Sequence, residues 1–248
     1  MSDRYGDITY GPEWSARWER DFGTRPDTED AVRCLSELAR GRPLLELGVG
    51  TGRIAIPLAG RGVPVHGVDN SPSMLDQLRA KPGGDAVTVL EGDIVTGELG
   101  GPYAVVAMPS YTISAITSQD EQVDCFANAA RHLTEDGCFV LEAMVPRSEA
   151  LLSGAQRTVR IEPGEVVLHV TTPADPMSGV ASACHVYFRH GEPPQLRPLR
   201  ARHAWPAELD LMARLAGLRL THRWGGWDRR PFGTDSAKHI SVYGRRVS

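Results

Sequence analysis

The sequence predicts an α/β fold: a doubly wound, mostly parallel sheet of seven strands, interrupted late in the chain by an antiparallel β insert. Three observations predict it. Strand-length apolar runs alternate with amphipathic helical segments from residue 27 to 145. A glycine-rich loop joins the first of these runs to the helix that follows. Beyond Val145, β-like runs succeed one another with only Pro, Gly and Asp turns between them. With 248 residues, 41% of them hydrophobic and 23% charged, the chain can bury the core of one domain carrying an insertion.

Residues 1–26 hold Tyr5, Tyr10, Trp14, Trp18 and Phe22, an aromatic density that reads as a lid. An amphipathic helix from Asp27 to Arg40 places Ala31, Val32, Leu35, Leu38 and Ala39 on one face, and Gly41 stops it. Pro43 to Leu47 is the first strand, ended by Gly48-Val49-Gly50-Thr51-Gly52, and Arg53 to Ala59 is helical. After the second strand, Pro64 to Val68, Ser71 and Pro72 supply an N-cap and a first-turn proline for the helix bearing Met74, Leu75 and Leu78. Ala86 to Leu90, Tyr103 to Met108 and Cys138 to Val145 are the next strands; between the last two, the capping box Ser118-Gln119-Asp120-Glu121 opens a helix reaching Leu133.

Arg157 to Ile161, Val166 to Thr172 and Val180 to Arg189 then read as the strands of the antiparallel insert. Pro206 to Ala216 is helical, and Leu218 to Trp224 and Ala237 to Arg245 close the main sheet. The expected division is a lid at 1–26, a core of 27–156 and 206–248, and an insert of 157–205 roofing the substrate side. That insert is also the candidate contact for a homodimer.

Composition excludes several functions. A net charge of -4 argues against a nucleic-acid partner. From Val186 onward 12 Lys and Arg face 5 Asp and Glu, which reads as a solvated surface before it reads as an anion site. Arg outnumbers Lys 25 to 2. The four cysteines, Cys34, Cys125, Cys138 and Cys184, lack the spacing of a metal site, and none is expected. No apolar run approaches the roughly 20 residues of a membrane span. The start lacks the apolar stretch of a signal peptide, so the expected location is the cytoplasm, without a membrane partner.

The chemistry concentrates in Leu45-Glu46-Leu47-Gly48-Val49-Gly50-Thr51-Gly52-Arg53, with Asp69 just past the next strand. A strand, a glycine loop and a helix expose backbone N–H groups to a close ligand, and Asp69 stands where a carboxylate accepts ribose hydroxyls. The loop therefore predicts a nucleoside. It departs from the dinucleotide fingerprint, because Arg53 occupies the place of the third glycine. Glu46 is a poor neighbour for a pyrophosphate and a good one for a cation.

In these residues the sequence resembles the class I S-adenosylmethionine-dependent methyltransferases, whose first motif is an acidic residue followed by x-Gly-x-Gly-x-Gly. The likeness extends to Glu91-Gly92-Asp93-Ile94 after the third strand and to Tyr103–Ser110, covering roughly residues 27 to 145. It implies a Rossmann-like fold and S-adenosyl-L-methionine as cofactor, converted to S-adenosyl-L-homocysteine. It further implies that Glu46, Gly48, Gly50 and Gly52 hold the methionine part, Asp69 the ribose, and Asp93 and Ile94 the adenine, with Thr51, Arg53, Asn70, Met74 and Met108 completing the set. Among such enzymes, an antiparallel roof resembles the small-molecule tailoring members of bacterial secondary metabolism. A catalytically silent nucleoside-binding module is the alternative on the same fold. Met108-Pro109-Ser110-Tyr111 lacks the Asn-Pro-Pro-Tyr of amino-methylating DNA enzymes, so nitrogen, oxygen and carbon all stay open as the acceptor atom.

Ligands of open α/β sheets lie beyond the carboxyl ends of the strands. This makes Tyr10, Trp14, Trp18, Ser110, Tyr111, Glu142, Met144, Tyr187, Arg189 and Trp205 the candidate contacts of a small-molecule substrate. Tyr10, Glu142, His185 and His203 are the candidates to take a proton. The competing roles are structural: a packing stripe for the tryptophans, satisfied core histidines for His185 and His203. Glu142 stands out because a carboxylate within an apolar strand costs free energy unless it is paired.

Overall fold

The computed structural model describes residues 12–146 and 154–245, so Tyr10 lies outside the described residues. The chain forms two sheets. The larger has seven strands in the order β10-β11-β5-β4-β1-β2-β3. Its parallel part comprises β1 (Leu44–Leu47), β2 (Val65–Asp69), β3 (Val87–Glu91), β4 (Tyr103–Met108) and β5 (Leu133–Met144). Every residue of β1 and β4 is buried, as expected of strands covered by helices on both faces. One core cluster joins Leu45, Val106 and Met108 to Phe126, Phe139 and Tyr243; the other joins Leu44, Val105 and Val140 to Leu35 and Leu58.

Of the covering helices, α2 (Thr28–Ala39) buries Ala31, Val32, Leu35 and Ala39, and its C-cap Arg40 enters the left-handed region just ahead of Gly41. The short α3 (Ala55–Ala59) follows the glycine loop, and α4 (Pro72–Ala80) starts with Ser71 Oγ accepting the Met74 amide. In α5 (Gln119–Arg131), Ser118 Oγ accepts the Glu121 amide, as its capping box predicts. The last helix of the core is α6 (Pro206–Leu215). No helix among the described residues is long and apolar enough to cross a membrane.

Strands β10 (Leu218–Trp224) and β11 (Lys238–Arg245) run antiparallel to each other, and β11 also pairs antiparallel with β5. The start of β11 therefore lies at the carboxyl ends of the parallel strands, with Lys238 opposite Met144. The chain changes direction across the sheet at β1, flanked by β2 and β4, and the glycine loop leaves that switch point.

The smaller sheet is antiparallel: β6 (Gln156–Glu162), β7 (Glu165–Thr171), β8 (Val180–Arg189) and β9 (Gln195–Arg202). Its fourth strand is not apparent in the sequence, because Gln-Leu-Arg-Pro-Leu-Arg-Ala-Arg carries a proline and three arginines. Pro198 is tolerated because β9 is an edge strand. Helix α1 (Pro12–Phe22) contacts both sheets' territories. Trp14 and Trp18 are spaced one turn apart with ring centroids at 6.1 Å, and Trp14 packs with Met74 of α4 and Val167 and Tyr187 of the small sheet.

Candidate active site

The glycine loop owes its shape to left-handed backbone at Gly48 (φ 72°) and Gly52 (φ 80°). A Cβ on Gly48 would also stand 2.6 Å from Thr112 Cγ2, whereas Gly50 faces open space. The Gly50 amide donates to Asp69 Oδ2 and the Ser71 amide to Asp69 Oδ1, each at 2.9 Å. Asp69 thus ties the loop to the start of α4 and keeps lone pairs for further donors. Burial pushes its carboxyl above the usual range. Asn70 beside it is exposed, and Met74 and Met108 are buried.

Glu46 is the anomaly of this half. It is only 3% exposed, and its Oε2 has no hydrogen-bond partner among the described residues. Burial pushes its carboxyl up to about 8; the neighbouring Arg53 opposes that shift and Asp69 adds to it. A cation entering beside the loop satisfies this group, and a pyrophosphate does not. Arg53 spans from Thr28 Oγ1 (2.7 Å) to Ser110 Oγ (2.6 Å), a guanidinium suited to a carboxylate ligand. The open glycine cradle, the orphaned Glu46 oxygen and the ribose-type acid Asp69 together fit an aminoacyl sulfonium nucleoside. After β3, Asp93 Oδ1 accepts the Val95 amide at 2.7 Å, and the Ile94 carbonyl accepts Asn128 Nδ2 at 3.1 Å.

Helix α1 reaches over this loop. Thr51 Oγ1 donates to Glu19 Oε2 at 2.6 Å, and Lys81 Nζ reaches both Glu19 Oε2 and the Thr51 carbonyl at 2.7 Å. On its other side α1 grips the small sheet: Arg17 bonds Glu165, and Arg20 reaches the same carboxylate at 2.8 Å.

Between α1, the loop after β4, the end of β5 and the small sheet lies a cleft of about 1550 Å³. Trp14, Trp18, Tyr111, Met144, His185, His203 and Trp205 all line it, joined by Phe22 and His169. Thr158, His169, His185 and Arg197 are register partners, one per strand, and form a polar row across the sheet facing the cleft. The His169 and His185 rings stand 4.3 Å apart. Burial pushes both below the ordinary imidazole range, His185 to about 4 with His169 adding to the effect. His203 is lowered by burial.

Four predicted contacts are elsewhere. Tyr187 is 1% exposed and lies under the Arg17 guanidinium, 3.3 Å above its ring, so its surface is spent on α1. Arg189 bonds Glu165 at 2.8 Å and reaches Glu192 at 3.4 Å. Ser110 sits behind Tyr111 rather than in the cleft lining. Glu142, 1% exposed, is fully engaged: Oε2 accepts the Ser110 amide at 2.7 Å and Oε1 takes Lys238 Nζ at 2.8 Å. Ser110 (φ 60°) and Tyr111 (φ 62°) are consecutive left-handed residues without a glycine, a conformation costing roughly 1–3 kcal/mol each.

Sequence reading passed over His169 and Lys238. Alternation along β7 carries a signal for the first, since His169 shares a face with buried Val167. For the second, the signal is rarity: Lys238 and Lys81 are the two lysines of an arginine-rich chain, and both sit in this region. Among the described residues no group of three His, Cys, Asp or Glu could hold a metal ion.

Comparison with known proteins agrees with this fold. A family model described as a methyltransferase domain matches residues 44–137. The chain is 40% identical to the CcbJ methyltransferase of Streptomyces caelestis, covering 91% of this chain and 98% of that one with a TM-score of 0.84. It is 29% identical to the cypemycin N-terminal methyltransferase of a Streptomyces species, over 83% of this chain and 84% of the relative. The fold also matches SAM-bound CalS10, an amino pentose methyltransferase from Micromonospora echinaspora, at 18% identity and a TM-score of 0.72, covering 97% and 99% of the two chains.

Proposed function

The chain belongs to the class I S-adenosylmethionine-dependent methyltransferases, and from that premise we propose that it methylates an amine nitrogen of a small molecule in bacterial secondary metabolism. The observation that carries this reading is the large cleft walled by Trp14, Trp18, Phe22 and Tyr111 between α1, the turn after β4 and the small sheet. Nitrogen is preferred because the cypemycin relative acts, by its name, at an N-terminus.

S-Adenosylmethionine supplies an electrophilic methyl on a positively charged sulfur. The protein's own work is to grip that donor and align the acceptor. In our reading Glu46 meets the ammonium, Arg53 the methionine carboxylate, Asp69 the ribose and Asp93 the adenine. Trp14, Trp18, Phe22 and Tyr111 exclude water and hold the acceptor with its lone pair in line with the methyl. A nitrogen–carbon bond forms as the sulfur–carbon bond breaks, and the nitrogen's surplus proton leaves through His185 or directly to water. The lid at 1–26, the core and the roof at 157–205 divide these tasks.

Two measurements test the reading. Calorimetry should show S-adenosylmethionine binding and no NADH binding; the reverse overturns the cofactor assignment. A mass-spectrometric screen of small amines, hydroxyl compounds and electron-rich rings should return a 14-dalton gain on nitrogen. Transfer confined to oxygen or carbon would sink the acceptor assignment.

A further inference from the structure

The geometry points to Lys238, with Asp27, as the positioning residues that hold the Ser110–Tyr111 turn through Glu142 and so present Tyr111 to the acceptor. The inference rests on the small-molecule reading and adds to it a part of the chain remote in sequence from every motif.

The Ser110–Tyr111 turn follows β4 and needs external restraint to keep two left-handed residues. Its three polar handles are all held. Glu142 accepts the Ser110 amide (2.7 Å), Arg53 donates to the Ser110 hydroxyl (2.6 Å), and Arg25 lies 3.4 Å from the Tyr111 hydroxyl with its guanidinium 5.2 Å over the ring. Glu142 in turn is buried within β5, and Lys238 is the cation bonded to it. Lys238 also bonds Asp27, which stands 3.7 Å from Arg25. The chain of contacts therefore closes on itself, from Ser110 through Glu142, Lys238, Asp27 and Arg25 to Tyr111. Tyr111 lines the cleft, whereas Glu142 and Lys238 do not. Their effect on the acceptor is thus exerted through the turn.

The arrangement also explains why the final strand matters to the site. Only an antiparallel β11 brings its first residue, Lys238, to the carboxyl end of β5, two register positions from Glu142, which stands opposite Ile240.

The test compares Lys238→Met, Lys238→Arg and the double variant Lys238→Met/Glu142→Gln, which removes the buried charge if the single variant misfolds. Hydrogen exchange of the segment 109–113 should accelerate about ten- to a hundredfold in Lys238→Met, the loss of a charge-assisted hydrogen bond, while β4 stays protected. Affinity for S-adenosylmethionine, by calorimetry, should stay within about twofold. With an acceptor from the screen, KM should rise more than kcat falls, and Lys238→Arg should recover most of the loss. Unchanged exchange at 109–113, or exchange raised equally through the whole chain, overturns the positioning role whatever the acceptor. So does a Glu142→Gln enzyme with normal KM that has lost one limb of its pH–rate profile, since Glu142 would then be a base. An empty acceptor screen alongside the expected exchange change overturns only the small-molecule reading.

Discussion

The donor side and the acceptor side of this site are built by different means. On the donor side the work is local: the glycine loop, Asp69 and the start of α4 lie within a short stretch of chain and are joined by backbone amides. On the acceptor side the contacts are remote, as when Arg17 of α1 meets Glu165 of the small sheet or Asp27 meets Lys238. Local backbone geometry makes a rigid, nonspecific grip for a cofactor. Long-range ion pairs hold α1 against the small sheet, whose inner surface is free to differ.

The hardest blow to this contrast falls on the contact of α1 with the small sheet. Burial alone would raise the Glu165 carboxyl, but hydrogen bonds from Arg17 and Arg189 overrule it and hold the group at about 2. Glu165→Ala leaves Arg17 with Asp21 as its remaining carboxylate partner and should cost about 2–4 kcal/mol. That lowers the thermal midpoint by about 8 °C in calorimetry, with S-adenosylmethionine affinity of the folded protein nearly intact. Because this carboxyl is depressed in the folded state, its contribution is present above about pH 4.5 and fades as pH falls toward 2. In Glu165→Ala that acid-side loss should shrink.

Next, Asp69→Ala should weaken S-adenosylmethionine by about 1.5–3 kcal/mol in titration calorimetry and disturb that contact little. If it instead abolished α1 packing, the two sides would not be separable. A smaller effect follows from Glu46, raised to about 8 by burial. Bound donor favours its ionised form, so binding releases a proton and affinity should tighten from pH 6 to 8, by at most about tenfold per unit. Without donor the sign reverses: the native state holds the extra proton, and stability falls as pH rises from about 4.5 to 8. Glu46→Gln should flatten both curves. The smallest change is expected from His185→Ala. At about 4, His185 is neutral across the working range and a weak base, so single-turnover rates should fall less than about tenfold without losing a pH limb near neutrality.

What could be read from the sequence follows the same division. The parallel strands, the loop at Gly48–Gly52 and the caps at Ser71 and Ser118 depend on neighbours in the chain, and periodicity and turn chemistry report them. The edge strand β9 hid behind its arginines and Pro198, since an edge needs neither alternation nor every amide. Tyr187 looked like a substrate contact because alternation gives the face of a strand but not what covers it; α1 covers it. Glu142 was conspicuous as a buried carboxylate, yet of its partners the Ser110 amide comes by the parallel pairing of β4 with β5 and Lys238 by the antiparallel insertion of β11, neither of which periodicity reports.

The cleft-facing side of the small sheet carries Ala181, Ala183 and Ala201, with Ala181 and Ala201 paired across strands. Methyl-sized side chains there leave room that a single codon change would take up. None belongs to the sheet that carries the donor loop. On the proposal that the small sheet roofs the acceptor, a descendant of this enzyme can trade one acceptor for another by altering the bulk of that sheet, inheriting the methylating machinery untouched. An engineer wishing to redirect it would begin with those three alanines and leave the glycine loop alone.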